Sequence, residues 1–118
     1  ERVRHVRRAG EMAARLERAG AIVIASLISP YRESRSFVRS ICSRFVEIYV
    51  NASIEECERR DPKGLYEKAR RGEITEFTGI DDPYEPPERP ELVIDTEHQT
   101  VEQSFAELKR FVDGLLSL

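Results

Sequence analysis

The stretch "AIVIASLI" (residues 21–28) decides the predicted fold, because it is nearly all apolar and rich in β-branched residues. A short run of this kind is typical of a strand rather than a helix. The run lacks polar alternation, which indicates a strand covered on both faces, as in a parallel sheet. Two further runs predict strands of the same kind, "RFVEIYV" (residues 44–50) and "ELVIDT" (residues 91–96).

Helical patterns stand between these runs. An amphipathic helix precedes the first strand and is expected to end near Gly20. Its predicted apolar face consists of Val3, Val6, Ala9, Ala13 and Leu16. The segment "SPYRESRSFVRSIC" (residues 29–42) predicts a turn and a short helix, and Ser53 with Glu56 predicts a capping box that opens the helix "IEECERR".

The last helix has the clearest pattern in the chain. Thr100 and Gln103 predict a second capping box at its start. Its predicted apolar face consists of Val101, Phe105, Leu108, Val112 and Leu115. Strands that alternate with helices indicate βαβ units and a parallel sheet, so the sequence predicts one α/β domain.

Composition limits the classes of function. The chain has 118 residues, of which 40% are hydrophobic and 35% charged, and its net charge of −3 gives no electrostatic reason to expect a nucleic-acid partner. No apolar run reaches the roughly 18 residues that a bilayer-spanning helix needs, and no signal peptide is visible. Cys42 and Cys57 are predicted to be reduced, inert thiols of a cytoplasmic protein. His5 and His98 lack metal-ligand spacing and are expected to be structural or surface residues.

Ligands of open parallel sheets bind beyond the carboxyl ends of the strands. That rule selects three segments, which are residues 28–32, residues 51–52 and the loop that begins at Asp95 and Thr96. In the first segment Ser29, Tyr31 and Arg32 follow the strand on a turn that contains a proline. The alternative is that Ser29 and Pro30 only begin the next helix.

A long polar excursion, "DPKGLYEKARRGEITEFTGIDDPYEPPERP" (residues 61–90), separates the third helix from the last strand. Loops of such length are usually functional or disordered. The excursion suits a lid over a phosphorylated substrate, with an aromatic ring at Phe77 and a basic helix. The basic residues are Lys63, Lys68, Arg70 and Arg71, and the hinge glycines are Gly64, Gly72 and Gly79. The alternative is a solvated helix with Phe77 folded onto the core. Asp81 and Asp82 predict a turn before Pro83 rather than a cation site.

Several motifs together resemble those of adenylyl-sulfate kinase (APS kinase). They are "ISPYR" (residues 28–32), "RDPKGLYEKAR" (residues 60–70) and "FTGIDDPYEPPERPE" (residues 77–91), in order and at compatible spacing. The resemblance implies a P-loop kinase-like parallel sheet flanked by helices in three layers. It also implies that ATP, with Mg²⁺, phosphorylates the 3′-hydroxyl of adenylyl sulfate to give 3′-phosphoadenylyl sulfate. At Glu67 the family often has lysine.

The resemblance also implies roles for individual residues. Lys63 and Ser29 are expected at the reacting groups. The residues expected to bind adenylyl sulfate are Ile28, Ser29, Arg32, Lys63, Leu65 and Phe77, with Phe77 stacked on its adenine. The residues expected near the ATP base are Arg60, Thr96, Gln99 and Val101. No residue is assigned to a metal, and the lid is expected to span residues 63–80 with a proline-rich return after it.

The sequence departs from the family pattern by an absence. It contains neither the G-x-x-x-x-G-K-[ST] phosphate-binding loop nor the D-G-D-N-[VI]-R segment, and we expect both, with the first strand of the sheet, before residue 1 of the natural protein. The alternative function is a non-catalytic nucleotide-sensing module fused to ATP sulfurylase. A weaker alternative is a kinase of the same fold with another small acceptor, such as a sugar acid. The resemblance further implies a homodimer, with a fused sulfurylase as an open option.

Overall fold

The computed structural model describes residues 1–117. The helices and strands follow in the order α1 (Arg2–Arg18), α2 (Arg32–Ile41), β1 (Ile48–Asn51), α3 (Ile54–Arg60), α4 (Leu65–Arg70), β2 (Leu92–Asp95) and α5 (Val101–Leu116). They form two compact units. The first contains Glu1–Val46 and Pro83–Glu88, and the second contains Glu47–Asp82 and the chain from Arg89 onward.

In the first unit α1 packs against α2 through a face of small residues. Val6, Gly10 and Ala14 are buried on α1. A Cβ atom on Gly10 would lie 2.5 Å from Cγ2 of Val38, so the two helices approach closely because Gly10 has no side chain. The predicted apolar face is therefore wrong in part, since Val3 and Leu16 at its two ends are exposed.

The end of α1 agrees with the prediction, because Gly20 follows it with a φ of +96°, in the left-handed region that glycine adopts easily. Glu17 adds a contact that the sequence did not indicate. Its carboxylate accepts hydrogen bonds from the backbone N–H groups of Ser43 and Arg44, each at 2.8 Å. These bonds satisfy backbone donors in the turn after α2 and lower the pKa of Glu17.

The strand predicted at residues 21–28 is wrong for the described part of the chain. These residues carry no strand and are all exposed, with Ile24 at 89% of its full exposure. A strand exists only through ladder hydrogen bonds to a neighbour, and its apolar side chains are buried only when other elements cover them. The apolar run indicates that these side chains favour burial, but it does not show whether a neighbouring strand is present to pair with them.

The second unit contains a parallel pair of strands. β1 and β2 pair from Ile48 opposite Leu92 to Asn51 opposite Asp95, and Ile94 is buried. The α/β class with a parallel sheet and flanking helices is therefore confirmed. Both strands are shorter than their predicted runs, because only these residues form the ladder.

The helix α5 packs against β2 but buries its predicted face only in part. Leu108 and Val112 are half-buried, whereas Val101, Phe105 and Leu115 are exposed, with Phe105 at 62%. The prediction of one continuous buried face is therefore wrong at these three positions, since no described element covers them.

The two predicted capping boxes have different outcomes. At α5 the box is complete, because Thr100 Oγ1 accepts from the N–H of Gln103 and the Gln103 side chain accepts from the N–H of Thr100. At α3 only half is present. Ser53 Oγ accepts from the N–H of Glu56, but the Ser53 N–H donates to Glu97. The Glu56 carboxylate therefore does not accept from the Ser53 N–H and can accept hydrogen bonds from other groups.

Candidate functional site

The carboxyl edge of the sheet (residues 51–53 and 95–98) is held together by hydrogen bonds between the two strand ends. The Asn51 carbonyl accepts from both the N–H and the Oγ1 hydroxyl of Thr96, each at 2.9 Å. Glu97 Oε1 accepts from the N–H of Ser53 at 2.8 Å, which lowers the pKa of Glu97. Two of the segments selected by the strand-end rule are thus adjacent.

Arg60, the last residue of α3, reaches this edge. Its Nη2 donates to the Thr96 carbonyl at 2.7 Å, its Nη1 to Thr96 Oγ1 at 3.2 Å, and its Nε to Glu56 Oε2 at 2.8 Å. The structure therefore brings together two residues that the sequence assigned to the ATP base. Three acceptors fix the plane of the guanidinium group.

Glu56 is the acceptor that the sequence analysis treated only as a capping residue. Its carboxylate also accepts two hydrogen bonds from Arg59, at 2.8 and 2.6 Å. Hydrogen bonds from Arg59 and then Arg60 lower the pKa of Glu56 to about 2. The spacing Glu56, Arg59 and Arg60 places all three on one side of a helix, and this spacing could have indicated the contact.

Asp95 orders the loop that follows β2. Its Oδ1 accepts from the N–H groups of Glu97 and His98, and its Oδ2 lies 2.7 Å from His98 Nδ1. The hydrogen bond between the side chains lowers the pKa of Asp95 and raises the pKa of His98. His98 therefore has the structural role expected of it, in a pair with Asp95.

The other two residues assigned to the ATP base lie farther along the loop. The Gln99 side chain is bound to α5, since Nε2 donates to Glu107 Oε1 at 3.2 Å and Oε1 accepts from Ser104 Oγ at 3.1 Å. Val101 is the first residue of α5, and its side chain is 82% exposed. Within residues 1–117 neither side chain forms a hydrogen bond with Arg60 or Thr96, so the site assignments of Gln99 and Val101 stay predictions.

The basic residues of the excursion divide into two groups. Arg70 forms a bidentate pair with Glu58, and Arg71 is paired with Glu67 and Glu73. Within residues 1–117 the ammonium groups of Lys63 and Lys68 have no hydrogen-bond or ion-pair partner. Of the four basic residues in the predicted lid, these two lysines are therefore the ones available to an anionic ligand.

Phe77 lies at the start of a tightly bonded loop. Its ring contacts Tyr66 edge-on, with the centroids 4.9 Å apart and an interplanar angle of 77°. The Asp81 carboxylate accepts from the N–H groups of Glu76 and Phe77, so the predicted acidic turn is present. Phe77 is half-buried, which decides neither for the stacking ring nor for a ring folded onto the core, so its stacking role stays a prediction. Leu65, also assigned to the substrate, begins α4 and is half-buried.

The remaining predicted residues belong to the first unit. Ile28 is exposed, and Ser29 has a φ of +36°, in the left-handed region. The Arg32 guanidinium donates to the Pro86 carbonyl at 2.9 Å and lies 3.5 Å from Glu88. The backbone N–H of Arg32 donates to Glu85 at 2.7 Å. Arg32 is thus bound to the proline-rich return.

Sequence reasoning missed Arg35. This buried arginine donates from Nη1 to the Ser29 carbonyl and from Nη2 to the Glu85 carbonyl, and its guanidinium lies over the Tyr84 ring. It therefore connects the turn after residue 28 to the return of the excursion. Its position on α2, among several arginines, gave no signal of burial.

Within residues 1–117 no helix is long and apolar enough to cross a membrane. No group of three or more histidine, cysteine, aspartate or glutamate residues in that range could hold a metal ion.

Comparison with known proteins gives consistent matches. A family model described as "Adenylylsulphate kinase" matches residues 1–95. The adenylyl-sulfate kinase of Staphylococcus epidermidis is 52% identical over 114 residues, which are 95% of this chain and 57% of the relative. The adenylyl-sulfate kinase of Geotalea uraniireducens is 51% identical over 115 residues, which are 96% of this chain and 55% of the relative. The chain thus spans a little more than half the length of these relatives.

A solved structure resembles this one closely. It is the Mycobacterium tuberculosis APS kinase CysC in complex with AMPPNP and APS, with a TM-score of 0.82 and 39% sequence identity. The match covers 92% of this chain and 65% of that chain. The matched part of the chain therefore includes residues of both units.

Proposed function

The chain belongs to the adenylyl-sulfate kinase family, and we propose that the protein phosphorylates adenylyl sulfate. In this reaction the 3′-hydroxyl of adenylyl sulfate attacks the γ-phosphorus of ATP. The bond between the γ-phosphorus and the bridging oxygen breaks, and the hydroxyl proton is released. The products are 3′-phosphoadenylyl sulfate and ADP.

The observation that carries the proposal is the contact between Arg60 and Thr96 at the carboxyl edge. Ligands of parallel α/β sheets bind at this edge, and a fixed guanidinium plane suits stacking on a purine base. The related Mycobacterium kinase was solved with the ATP analogue AMPPNP and with APS, which supports the same pair of ligands for this protein.

Lys63 is our candidate for the anionic groups of the reaction. Lys63 follows Arg60 by three residues in the chain, and its ammonium group has no partner within residues 1–117. An unpaired ammonium can form charge-assisted hydrogen bonds to phosphate oxygens, and such donors stabilise charge that develops during phosphoryl transfer. The lysine is exposed, so a ligand can reach it without displacing an internal ion pair.

For adenylyl sulfate we propose Phe77 as the ring that stacks on its adenine, with Leu65 beside it. We also propose Ile28, Ser29 and Arg32 as residues that bind adenylyl sulfate, as the family resemblance implies. Since Arg32 is bound to Pro86 and Glu88, its contribution would be to shape the site rather than to bind an anion with a free guanidinium group.

Residues 1–117 contain no group of three or more histidine, cysteine, aspartate or glutamate side chains that could bind the proposed Mg²⁺. Mg²⁺ commonly keeps several waters and binds to substrate phosphates. We therefore propose it only as the ion that accompanies the phosphates of ATP, and we assign none of the described residues to it.

The test is an assay of the full-length protein with MgATP and adenylyl sulfate, in which the products are separated by chromatography and identified by mass. Formation of 3′-phosphoadenylyl sulfate and ADP in equal amounts is expected. Nucleotide binding without product would contradict the kinase and favour the nucleotide-sensing alternative. A sugar acid offered as acceptor in place of adenylyl sulfate should give no product.

A further inference from the structure

We propose that Glu56 is a positioning residue for the nucleotide base, because it holds the Arg60 guanidinium group in a fixed plane on which the adenine of ATP stacks. The inference rests on the proposed function, since it takes Arg60 as the residue that meets the base. Glu56 itself touches no ligand in this proposal. It acts through Arg60.

The hydrogen bonds of Arg60 leave from both ends of its guanidinium group. Arg60 donates from Nε to Glu56 on one side and from both Nη atoms to Thr96 on the other. The N–H groups of a guanidinium lie in its plane, so acceptors placed at its edges leave its two faces without hydrogen bonds. The Arg60 side chain is 38% exposed, so part of it is accessible to a ligand.

The two partners of Arg60 are themselves anchored by other residues. Thr96 is itself bound to the Asn51 carbonyl through its N–H and its hydroxyl group. The Glu56 side chain is 15% exposed, and Arg59 binds both of its carboxylate oxygens, of which Arg60 shares Oε2. Arg60 therefore spans two fixed groups. An ion pair that served only the stability of α3 would not require the contact with Thr96, which follows β2.

Arg60 and Lys63 differ in how their charges are compensated. Glu56 is shared by two arginines, so it compensates part of the positive charge at Arg60, while Lys63 three residues later has no partner within residues 1–117. A compensated guanidinium is less attractive to phosphate but keeps its stacking surface, whereas an uncompensated ammonium attracts phosphate. The contact thus divides the segment into a base-binding residue and an anion-binding residue.

The test is the variant Glu56→Gln in the full-length protein. The glutamine is uncharged and has one acceptor oxygen instead of two, so it cannot satisfy all three donors that Arg59 and Arg60 direct at the carboxylate, and its NH₂ group opposes the donor that it meets. We expect the KM for ATP to rise about fivefold, as for the loss of one modest contact. The kcat and the KM for adenylyl sulfate should stay unchanged.

The matched control is Glu58→Gln. Glu58 lies on the same helix and forms a bidentate pair with Arg70, so the substitution makes the same change of charge away from Arg60. The KM for ATP should not change in this variant. Equal effects of both substitutions would overturn the proposal, because they would point to helix stability or net charge.

A double-mutant cycle separates positioning from independent contributions. Glu56→Gln introduced into an Arg60→Ala protein should cause no further increase in the KM for ATP. Additive effects of the two substitutions would overturn the proposal. Tighter ATP binding in Glu56→Gln would also overturn it, because the carboxylate would then act only by repelling phosphate.

Two measurements do not depend on kinase activity. The Nε–H signal of Arg60 in a ¹⁵N NMR spectrum should be protected from exchange in the wild type and lost in Glu56→Gln. ADP binding, measured by calorimetry, should weaken by the same factor as the KM for ATP. If ADP binding and the Nε–H signal do not change, the positioning role is overturned, whether or not the wild type forms product. If the wild type binds ADP but forms no product, the kinase proposal alone fails.

Discussion

At the scale of single residues, Lys63 differs from the arginines around it because its charge is not used within the described chain. We expect Lys63→Ala to lower kcat by about 100-fold, since one donor to developing negative charge contributes this much in comparable sites. The control is Arg71→Ala, because Arg71 is exposed and already paired with Glu67 and Glu73. A steady-state assay of both variants with MgATP and adenylyl sulfate makes the comparison, and a kcat for Lys63→Ala within twofold of the wild type would contradict the role.

Arg35 is expected to matter for stability. Arg35→Ala removes a buried side chain that donates to the carbonyls of Ser29 and Glu85, and it should lower the free energy of unfolding by about 2 kcal/mol. Arg8→Ala is the control, because Arg8 is exposed and has no partner within residues 1–117. Urea unfolding of both variants measures the difference. If Arg35→Ala and Arg8→Ala lower the free energy of unfolding equally, the contacts of Arg35 with the turn and with the proline-rich return are not important for stability.

The pair of Asp95 and His98 predicts a dependence on pH. The hydrogen bond to the Asp95 carboxylate raises the pKa of His98, so the pair stabilises the folded state fully below the ordinary histidine pKa of about 6.5. This contribution is lost as the pH rises through the raised pKa. An NMR titration of His98 in the wild type and in Asp95→Asn should show a lower pKa in the variant, and an equal pKa in both would refute the pair.

At this scale the sequence indicated which residues belong to the candidate site better than it indicated which groups those residues contact. Arg60 and Thr96 were assigned together through a resemblance in motif, and they are in contact. Glu56 and Arg35 were missed as partners, because a glutamate or arginine in a charged helix looks the same whether it is solvated or bound. The difference depends on which backbone carbonyls and side chains the fold brings near, and those lie up to 50 residues away.

At the scale of elements, the contact between α1 and α2 depends on Gly10. Gly10→Ala would place a Cβ atom 2.5 Å from Val38 Cγ2, and a valine in a helix has essentially one rotamer, so it cannot turn aside. We expect a loss of about 1–3 kcal/mol from overpacking, which exceeds the gain of about 1 kcal/mol in helix propensity.

Gly114 on α5 provides the matched control, since a Cβ atom there would meet nothing within 4 Å. Gly114→Ala should stabilise the protein by up to about 1 kcal/mol, because only the propensity term remains. Thermal unfolding of the two variants should therefore shift in opposite directions. A stabilised Gly10→Ala protein would show that the helices can separate without cost.

Helices were predicted more accurately than strands for a physical reason. The signals that begin α3 and α5, Ser53 and Thr100, act on backbone groups three residues away, so the local sequence contains the whole interaction. The strand expected at residues 21–28 needed a neighbour, and no local signal reports whether one is present. The helix faces failed in the same way at Val3 and Phe105, which are apolar but uncovered.

At the scale of the whole molecule, the run at residues 21–28 leaves an apolar surface in contact with water. Ile22 and Ile24 are both exposed, and adjacent exposed apolar groups bind hydrophobic dyes. A protein of these 118 residues should bind such a dye, and the double variant Ile22→Thr with Ile24→Thr should reduce the fluorescence roughly by half. Met12→Gln, which changes one isolated exposed apolar residue, should have little effect. Equal fluorescence in the double variant would show that the dye binds elsewhere.

The carboxyl edge has a consequence for the thermodynamics of binding. Its loop is already ordered by Asp95, by the contact of Glu97 with Ser53 and by the bonds of Thr96 to Asn51. A ligand that docks there does not have to freeze the backbone and so avoids about 1–2 kcal/mol of lost entropy for each residue that it would otherwise order. A free nucleoside, which lacks phosphates, should therefore bind this edge weakly, but its binding should cost little conformational entropy of the loop.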